Sequence, residues 1–369
     1  MRLSILSLLL IFSLTSFGQK FYLFTGTYTG SGSKGIYVYQ FDASSGTASL
    51  LSNTDSVASP SYLTVSGDGK FVYAVNETHP GYVSSFSFDK KNAKLSFINS
   101  QPTEGFDPCY VTNDNSGRWL IVANYTGGNV AVFPVSKDGY LKPSSQLIQD
   151  SGSSVNKGRQ EKAHVHSTVF SPDQKFLFTP DLGIDKVMIY KFVPSLMKPL
   201  IAASPAYEKT MDGEGPRHFA FHPNKKYAYL ISELSGAVSA YNYHDGKLTR
   251  FQHIKTHPED FKGVIGSADI HISPDGMFLY VSNRGDENTI TIFSINNMGR
   301  LKLKGYQSTM GKTPRNFIID PTGNYLLVAN QESDNIVIFK RNNKTGMLKE
   351  TGHEIKIPKP VCLQMSEMK

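Results

Sequence analysis

The feature that most constrains this chain is a phrase that returns about every fifty residues. Its first copy runs Pro60-Ser61-Tyr62-Leu63-Thr64-Val65, turns through Ser66-Gly67-Asp68-Gly69-Lys70 and returns as Phe71-Val72-Tyr73-Ala74-Val75-Asn76. Further copies occupy residues 108–124, 165–181, 216–232, 267–283 and 314–330. Each reads as a hairpin, with a polar turn between a strand and an alternating apolar strand. A third strand follows most copies, as in Val130-Ala131-Val132-Phe133 and Ile336-Val337-Ile338-Phe339. A fourth, weaker segment comes after a turn, as in Gly139-Tyr140-Leu141 and Gly299-Arg300-Leu301. Four strands in about fifty residues make one propeller blade.

Six full hairpins are visible, and the seventh is split. Phe21-Tyr22-Leu23-Phe24-Thr25-Gly26-Thr27 matches a second strand only, while Pro360-Val361-Cys362-Leu363-Gln364-Met365 echoes the missing first strand. The C-terminus therefore supplies the inner strand of the blade that the N-terminus begins, which closes the ring and removes the open edge. The expected fold is all-β, a seven-bladed β-propeller in one domain over residues 19–369. The 23 Phe, 19 Tyr, 31 Gly and 19 Pro suit a chain of strands and turns.

Residues 1–18 read differently. Arg2 precedes an apolar run from Leu3 to Leu14 and a small, polar stretch, the layout of a cleavable secretory signal. A periplasmic or extracellular location follows. The formal charge of +7 is scattered rather than clustered, which argues against a nucleic-acid surface and mildly favours an anionic substrate. The two cysteines, Cys109 and Cys362, fall on inner strands of non-adjacent blades and are expected to be free thiols.

In a blade the start of strand one and the end of strand two open at the same mouth of the channel. The residue after the Pro60 position reads Ser61, Cys109, His166, Arg217, Ala268, Arg315 and Val361 around the ring. The residue after the Asn76 position reads Glu77, Tyr125, Leu182, Glu233, Arg284 and Gln331. Ionisable residues recur at both levels, and His166, Arg217, Glu233 and Arg284 fall in three consecutive blades. An insertion over residues 146–162 enters at that face with Arg159-Gln160-Glu161. A polar channel can also hold solvated charges, the bland reading for Arg315 above all. His222 sits in a turn position and reads as structural. The recurring Asn76, Asn124, Asn283 and Asn330 read as strand-end residues that bond backbone. His164 and His166 read as alternating on a strand of one blade and His271 lies deeper in another, so they form no metal-ligand cluster, and neither a metal nor another cofactor is expected.

Several stretches carry a more specific likeness: residues 159–167, Gly215-Pro216-Arg217-His218, Ser282-Asn283-Arg284-Gly285 and Val328-Ala329-Asn330-Gln331. With them the chain resembles the lactonase family of seven-bladed propellers, which includes 6-phosphogluconolactonases and fungal carboxy-muconate lactonizing enzymes. The resemblance implies a catalytic set of His166, Arg217, Glu233 and Arg284. It leaves Arg159, Glu161, His164, His218, Arg315 and Gln331 as candidates for substrate binding. It implies a small, sugar-derived lactone as the partner, while the scattered charge and the cleavable leader leave no nucleic acid and, once the leader is removed, no membrane as expected partners. Lactone hydrolysis needs an activated water, charge stabilisation for the oxyanion and a proton for the leaving alkoxide. Arg217 and Arg284 suit the oxygens, and Glu233 and His166 share the proton work in an order the sequence leaves open. Two other readings stand beside this one, a muconate-type lactonizing cycloisomerase and a non-catalytic binding module. The export signal departs from a cytosolic phosphorylated intermediate and favours an unphosphorylated lactone.

Overall fold

The computed structural model describes residues 19–55 and 57–368, whose strands form seven four-stranded antiparallel sheets. Among the described residues there is no α-helix. Blade 1 combines the C-terminal strand Pro360–Glu367 with Lys20–Thr27, Tyr37–Asp42 and Thr47–Asn53. The C-terminal strand pairs with the N-terminal one from Phe21↔Glu367 to Thr27↔Pro360, so the expected closure is present. Blades 2 to 7 begin with Leu63–Val65, Pro108–Asn113, Val169–Phe170, Pro216–Phe221, Ser267–Ile272 and Pro314–Ile319.

The repeated phrase and the register agree. Its first and last residues face each other as Pro108↔Asn124, Val165↔Asp181, Pro216↔Ser232, Ser267↔Asn283 and Pro314↔Asn330. Apolar side chains alternate to both faces of each sheet and fill the spaces between blades, where their burial holds the ring together. Phe41 of blade 1 thus meets Tyr325 of blade 7 edge-on at 5.6 Å, and Phe178 of blade 4 stacks on Phe219 of blade 5 at 5.4 Å. The strand-end asparagines bond backbone as expected: Nδ2 of Asn76, Asn124, Asn283 and Asn330 donates to the carbonyls of Ala58, Thr103, Thr256 and Thr309.

Two expectations need correction. The fourth strand of blade 3 is Gln146–Gln149, not residues 139–141, of which Leu141 forms only an isolated bridge to Val135. The insertion therefore starts after Gln149, because residues 146–149 pair with Asn129–Pro134. Second, His164 and His166 do not alternate on a regular strand. Residues 163–168 touch the sheet through the Val165↔Asp181 bridge and a His166 N–H bond to the Pro180 carbonyl. His222 lies in its turn, with Nδ1 accepting from Asn224 N–H and Nε2 2.8 Å from the Gly276 carbonyl. Cys109 and Cys362 are both buried free thiols. The proposed signal segment lies outside the described residues.

Candidate active site

One backbone device, repeated in every blade, builds the mouth of the channel. The residue after each second strand donates its N–H to the carbonyl just before the Pro60 position. The seven pairs are Tyr28 to Lys359, Glu77 to Ser59, Tyr125 to Asp107, Leu182 to His164, Glu233 to Gly215, Arg284 to Gly266 and Gln331 to Thr313. The accepting residue is left-handed in five of them, with φ of 45°, 38°, 52°, 63° and 58° at Lys359, Ser59, Asp107, Gly215 and Thr313. Such a conformation is uncommon for a residue with a Cβ and turns the chain sharply into the first strand. At Gly215 a Cβ would also lie 2.6 Å from Leu234, so glycine is required there.

The ladder then slips by one residue. Pairing jumps from Pro108 to Tyr110, Pro216 to His218 and Pro314 to Asn316, which leaves Cys109, Arg217 and Arg315 in bulges. Bulges re-aim side chains and are common beside active sites. Here they turn two guanidiniums and a thiol toward the channel. The next level, starting with Tyr28, stands just above.

Glu233 is the centre of one side of this mouth. Its Oε2 accepts from Arg217 Nε at 2.8 Å and lies 2.9 Å from a terminal nitrogen of Arg284, while Oε1 accepts from Arg159 at 2.6 Å. His166 Nε2 stands 3.9 Å from Oε2. Burial would raise the Glu233 carboxyl, but Arg284 and Arg217, then His166 and Arg159, hold it well below the usual carboxylate range. Burial, with Arg217 and His218 adding, pushes the His166 imidazole well below its ordinary value, so it is neutral at pH 7. Cys109 Sγ lies 3.7 Å from His166 Nδ1 and 3.4 Å from the His166 carbonyl. Burial raises its thiol, which stays protonated and is no nucleophile at neutral pH.

Arg217 sits beneath Glu233, 1% exposed, and spends its other donors on the Ala268 carbonyl at 2.5 Å and His218 Nε2 at 3.2 Å. Accepting there leaves His218 to donate from Nδ1 to Asp269 at 2.8 Å. Burial and then Arg217 lower the His218 imidazole to about 4. Asp269 also receives His271 Nε2 at 2.9 Å and Asn316 Nδ2 at 2.5 Å. The chain from Glu233 through Arg217 and His218 to Asp269 is satisfied at each link, as buried charges require.

On the opposite side of the mouth stands a second carboxylate. Glu77 Oε1 accepts from Tyr28 Oη at 2.8 Å, and Oε2 lies 3.5 Å from an Arg315 nitrogen. The Arg315 guanidinium also rides over the Tyr28 ring, 5.3 Å from its centre. Between the two sides lies a cavity of about 170 Å³ lined by Glu77, Cys109, Tyr125, Arg159, His166, Glu233, Arg284 and Arg315. At about 30 Å³ per water it has room for a single small ring.

Of the ten candidate residues, Arg159, His166, Glu233, Arg284 and Arg315 line this cavity. Arg217 and His218 lie below it, beside a smaller void. His164 stacks on Tyr125 at 4.6 Å and bonds Glu161 at 3.1 Å, so this pair braces the wall from behind. Gln331 bonds Glu332 on the rim. The insertion that brings Arg159 is pinned by Ser154 to Asp185 at 2.5 Å and by Gln160, fully buried, to the Leu182 carbonyl. Sequence reasoning had Glu77 and Tyr125 at the right level without selecting them, and it missed Tyr28. The signal for Tyr28 was its place after Thr27 in the split blade, the seventh member of a ring compared in only six. No group of three or more His, Cys, Asp or Glu residues gathers to hold a metal ion among the described residues.

Comparison with known proteins gives a consistent picture. The family described as "Lactonase, 7-bladed beta-propeller" matches residues 22–365. A 6-phosphogluconolactonase of Formosa agariphila is 42% identical over 305 residues, covering 81% of this chain and 86% of the relative. One from Bacillus subtilis is 34% identical, over 82% of this chain and 85% of its own length. Among solved structures, the periplasmic gluconolactonase PpgL of Pseudomonas aeruginosa superposes with a TM-score of 0.91 at 37% identity, over 95% of this chain and 100% of that one. A putative 6-phosphogluconolactonase of Bacteroides fragilis gives 0.91 at 42% identity, over 95% and 98%.

Proposed function

The chain belongs to the lactonase family of seven-bladed β-propellers, and on that premise we propose that it is an exported enzyme opening an unphosphorylated sugar lactone to its acid. The enzyme class is that of the family, a lactone-opening carboxylic-ester hydrolase. The observation that carries the reading is the neutral His166 beside a Glu233 that three guanidiniums already occupy. A carboxylate so heavily engaged is a poor base, whereas a neutral imidazole facing the cavity keeps a ring nitrogen able to accept a proton.

In this reading a water attacks the lactone carbonyl while His166 Nε2 removes its proton. The electrons of the carbonyl double bond move to its oxygen, and Arg284 and Arg159 stabilise that oxyanion. Collapse of the intermediate breaks the ring C–O bond, and the imidazolium returns its proton to the leaving alkoxide. Water is consumed and the open-chain acid is released. Glu233 has two tasks: it fixes the guanidiniums in place and, 3.9 Å from His166 Nε2, favours the imidazolium while it lasts. Arg217 acts from below by holding Glu233.

Two features support an unphosphorylated substrate. The leader-like residues 1–18 suit a site outside the cytoplasm, as does the periplasmic location of the Pseudomonas relative. The test is hydrolysis of glucono-δ-lactone and 6-phosphoglucono-δ-lactone by purified residues 19–369, with spontaneous opening subtracted. A higher kcat/KM on the unphosphorylated lactone, lost in His166→Gln, is the expected result; no rate above background on either lactone refutes the reading. Fractionation of cells and N-terminal sequencing of the mature chain test export.

A further inference from the structure

The Glu233 side of the mouth is internally satisfied, and the other side is not. Among the described residues the Arg315 guanidinium donates no hydrogen bond. Its contacts are the 3.5 Å approach to Glu77 and the face of Tyr28, although its side chain is only 16% exposed. Glu77 Oε2 has no hydrogen-bond partner, and Ser61 Oγ, in the small void that Arg315 also lines, has none either. Buried polar atoms left without partners are costly, and the large majority in folded proteins are paired. Glu77 Oε2 thus stands unpaired beside Arg315 at one wall of the cavity that holds the candidate catalytic groups, and Ser61 Oγ lies in the smaller void that Arg315 shares with it.

We propose that Glu77 and Arg315, held by Tyr28, form a subsite that binds the hydroxyl groups of a polyhydroxylated lactone ring and so determines specificity for sugar lactones. The inference rests on the lactonase reading and names the substrate class of that same site. A hydroxyl both donates and accepts, and this wall offers an acceptor and a donor side by side. The Glu77 carboxylate accepts a hydrogen bond from the hydroxyl, and Arg315 donates one to the hydroxyl oxygen. An anionic group suits the wall less well, because one drawn to Arg315 would lie against the Glu77 carboxylate. A hydrocarbon ring would cover the same groups and leave them unpaired. Sites built to bond a hydroxyl reject analogues that lack it for this reason. Tyr28 fixes Glu77 through its phenol and Arg315 through its ring, so it is a positioning residue.

The experiment compares kcat/KM for glucono-δ-lactone with that for δ-valerolactone, the same ring without hydroxyls, in wild type, Glu77→Ala, Glu77→Gln and Arg315→Ala. The wild type is expected to prefer the sugar lactone, and each Ala variant to lower that preference about tenfold to a hundredfold, the worth of one or two hydrogen bonds to a charged group. Glu77→Gln, which keeps the volume, guards against loss of folding and should fall between. A preference ratio unchanged in all variants overturns the proposal, whether both rates drop together or neither does. If the wild type opens neither lactone, the lactonase reading fails on its own, and calorimetry still decides the subsite. Gluconolactam should then bind the wild type more tightly than δ-valerolactam, with the difference lost in Glu77→Ala; equal affinities in the wild type reject the subsite.

Discussion

Glu233 and Glu77 follow the second strands of blades 5 and 2, occupy the same register position and face the same cavity, yet they are treated in opposite ways. Glu233 is bound by Arg217, Arg284 and Arg159, and Arg217 is itself locked to Ala268 and His218. Glu77 has one phenol and one guanidinium at 3.5 Å. The repeat thus places carboxylates by symmetry, and their surroundings give them work. A carboxylate surrounded by cations becomes a fixed electrostatic anchor, whereas one with an unpaired oxygen is ready to receive a ligand.

The comparison can be broken most forcefully at Glu233. Glu233→Gln removes the charge that holds three guanidiniums and leaves Arg217 buried without a counter-ion. We expect kcat to fall roughly a hundredfold to a thousandfold and stability to fall by about 3–5 kcal/mol, as when one partner of a buried pair is removed. Activity assays and denaturant titration read the two effects. Equal stability in Glu233→Gln and wild type would mean that the carboxylate does not anchor the cluster.

Arg217→Lys is the next largest change. Lysine keeps the charge but lacks the planar fork that bonds Glu233, Ala268 and His218 together. The loss should appear in kcat, about tenfold to a hundredfold, with KM little altered, because Arg217 does not line the substrate cavity. A rise in KM alone would make Arg217 a direct substrate contact.

Glu77→Gln sharpens the contrast by its mildness. Arg315 faces the cavity rather than a closed network, so stability should change by less than about 1 kcal/mol, against several for Glu233→Gln. Loss of the fold in this variant would show that the two carboxylates are equivalent after all.

The smallest effect is a shift in pH dependence. His166 must be neutral to take a proton, and its imidazole is depressed well below the ordinary value near 6.5 by burial and then by Arg217. A base with a lowered pKa stays competent as the pH falls. The acid limb of kcat/KM should therefore lie below pH 6.5, and a limb at or above that value would exclude His166 as the base.

Much of this was legible in the sequence because a propeller turns repeat register into place. The phrase ending at Asn76, Asn124 and Asn330 marks a strand end, and the residue after it must face the mouth. Closure was legible from the likeness of residues 360–365 to 60–65. What the repeat could not convey was depth and partnership. It placed Arg217 and Arg315 at one level, but only the bulges and packing send Arg217 under Glu233 and Arg315 into the cavity. His218 looked like a substrate contact because it neighbours Arg217, yet the strand carries it down onto Asp269. Tyr28 went unseen because its blade is divided between the chain ends. The insertion was misjudged by four residues, since the short polar strand Gln146–Gln149 has no apolar alternation to mark it.

The most direct test of this division of labour is a crystal structure with gluconolactam, the non-hydrolysable analogue of the sugar lactone. The ring hydroxyls should lie within hydrogen-bond distance of Glu77 and Arg315, and the carbonyl oxygen should lie against Arg284 and Arg159 with His166 Nε2 facing the carbonyl carbon. A ring bound the other way round, with hydroxyls on Glu233 and the carbonyl at Arg315, would contradict the assignment of chemistry to one side and recognition to the other.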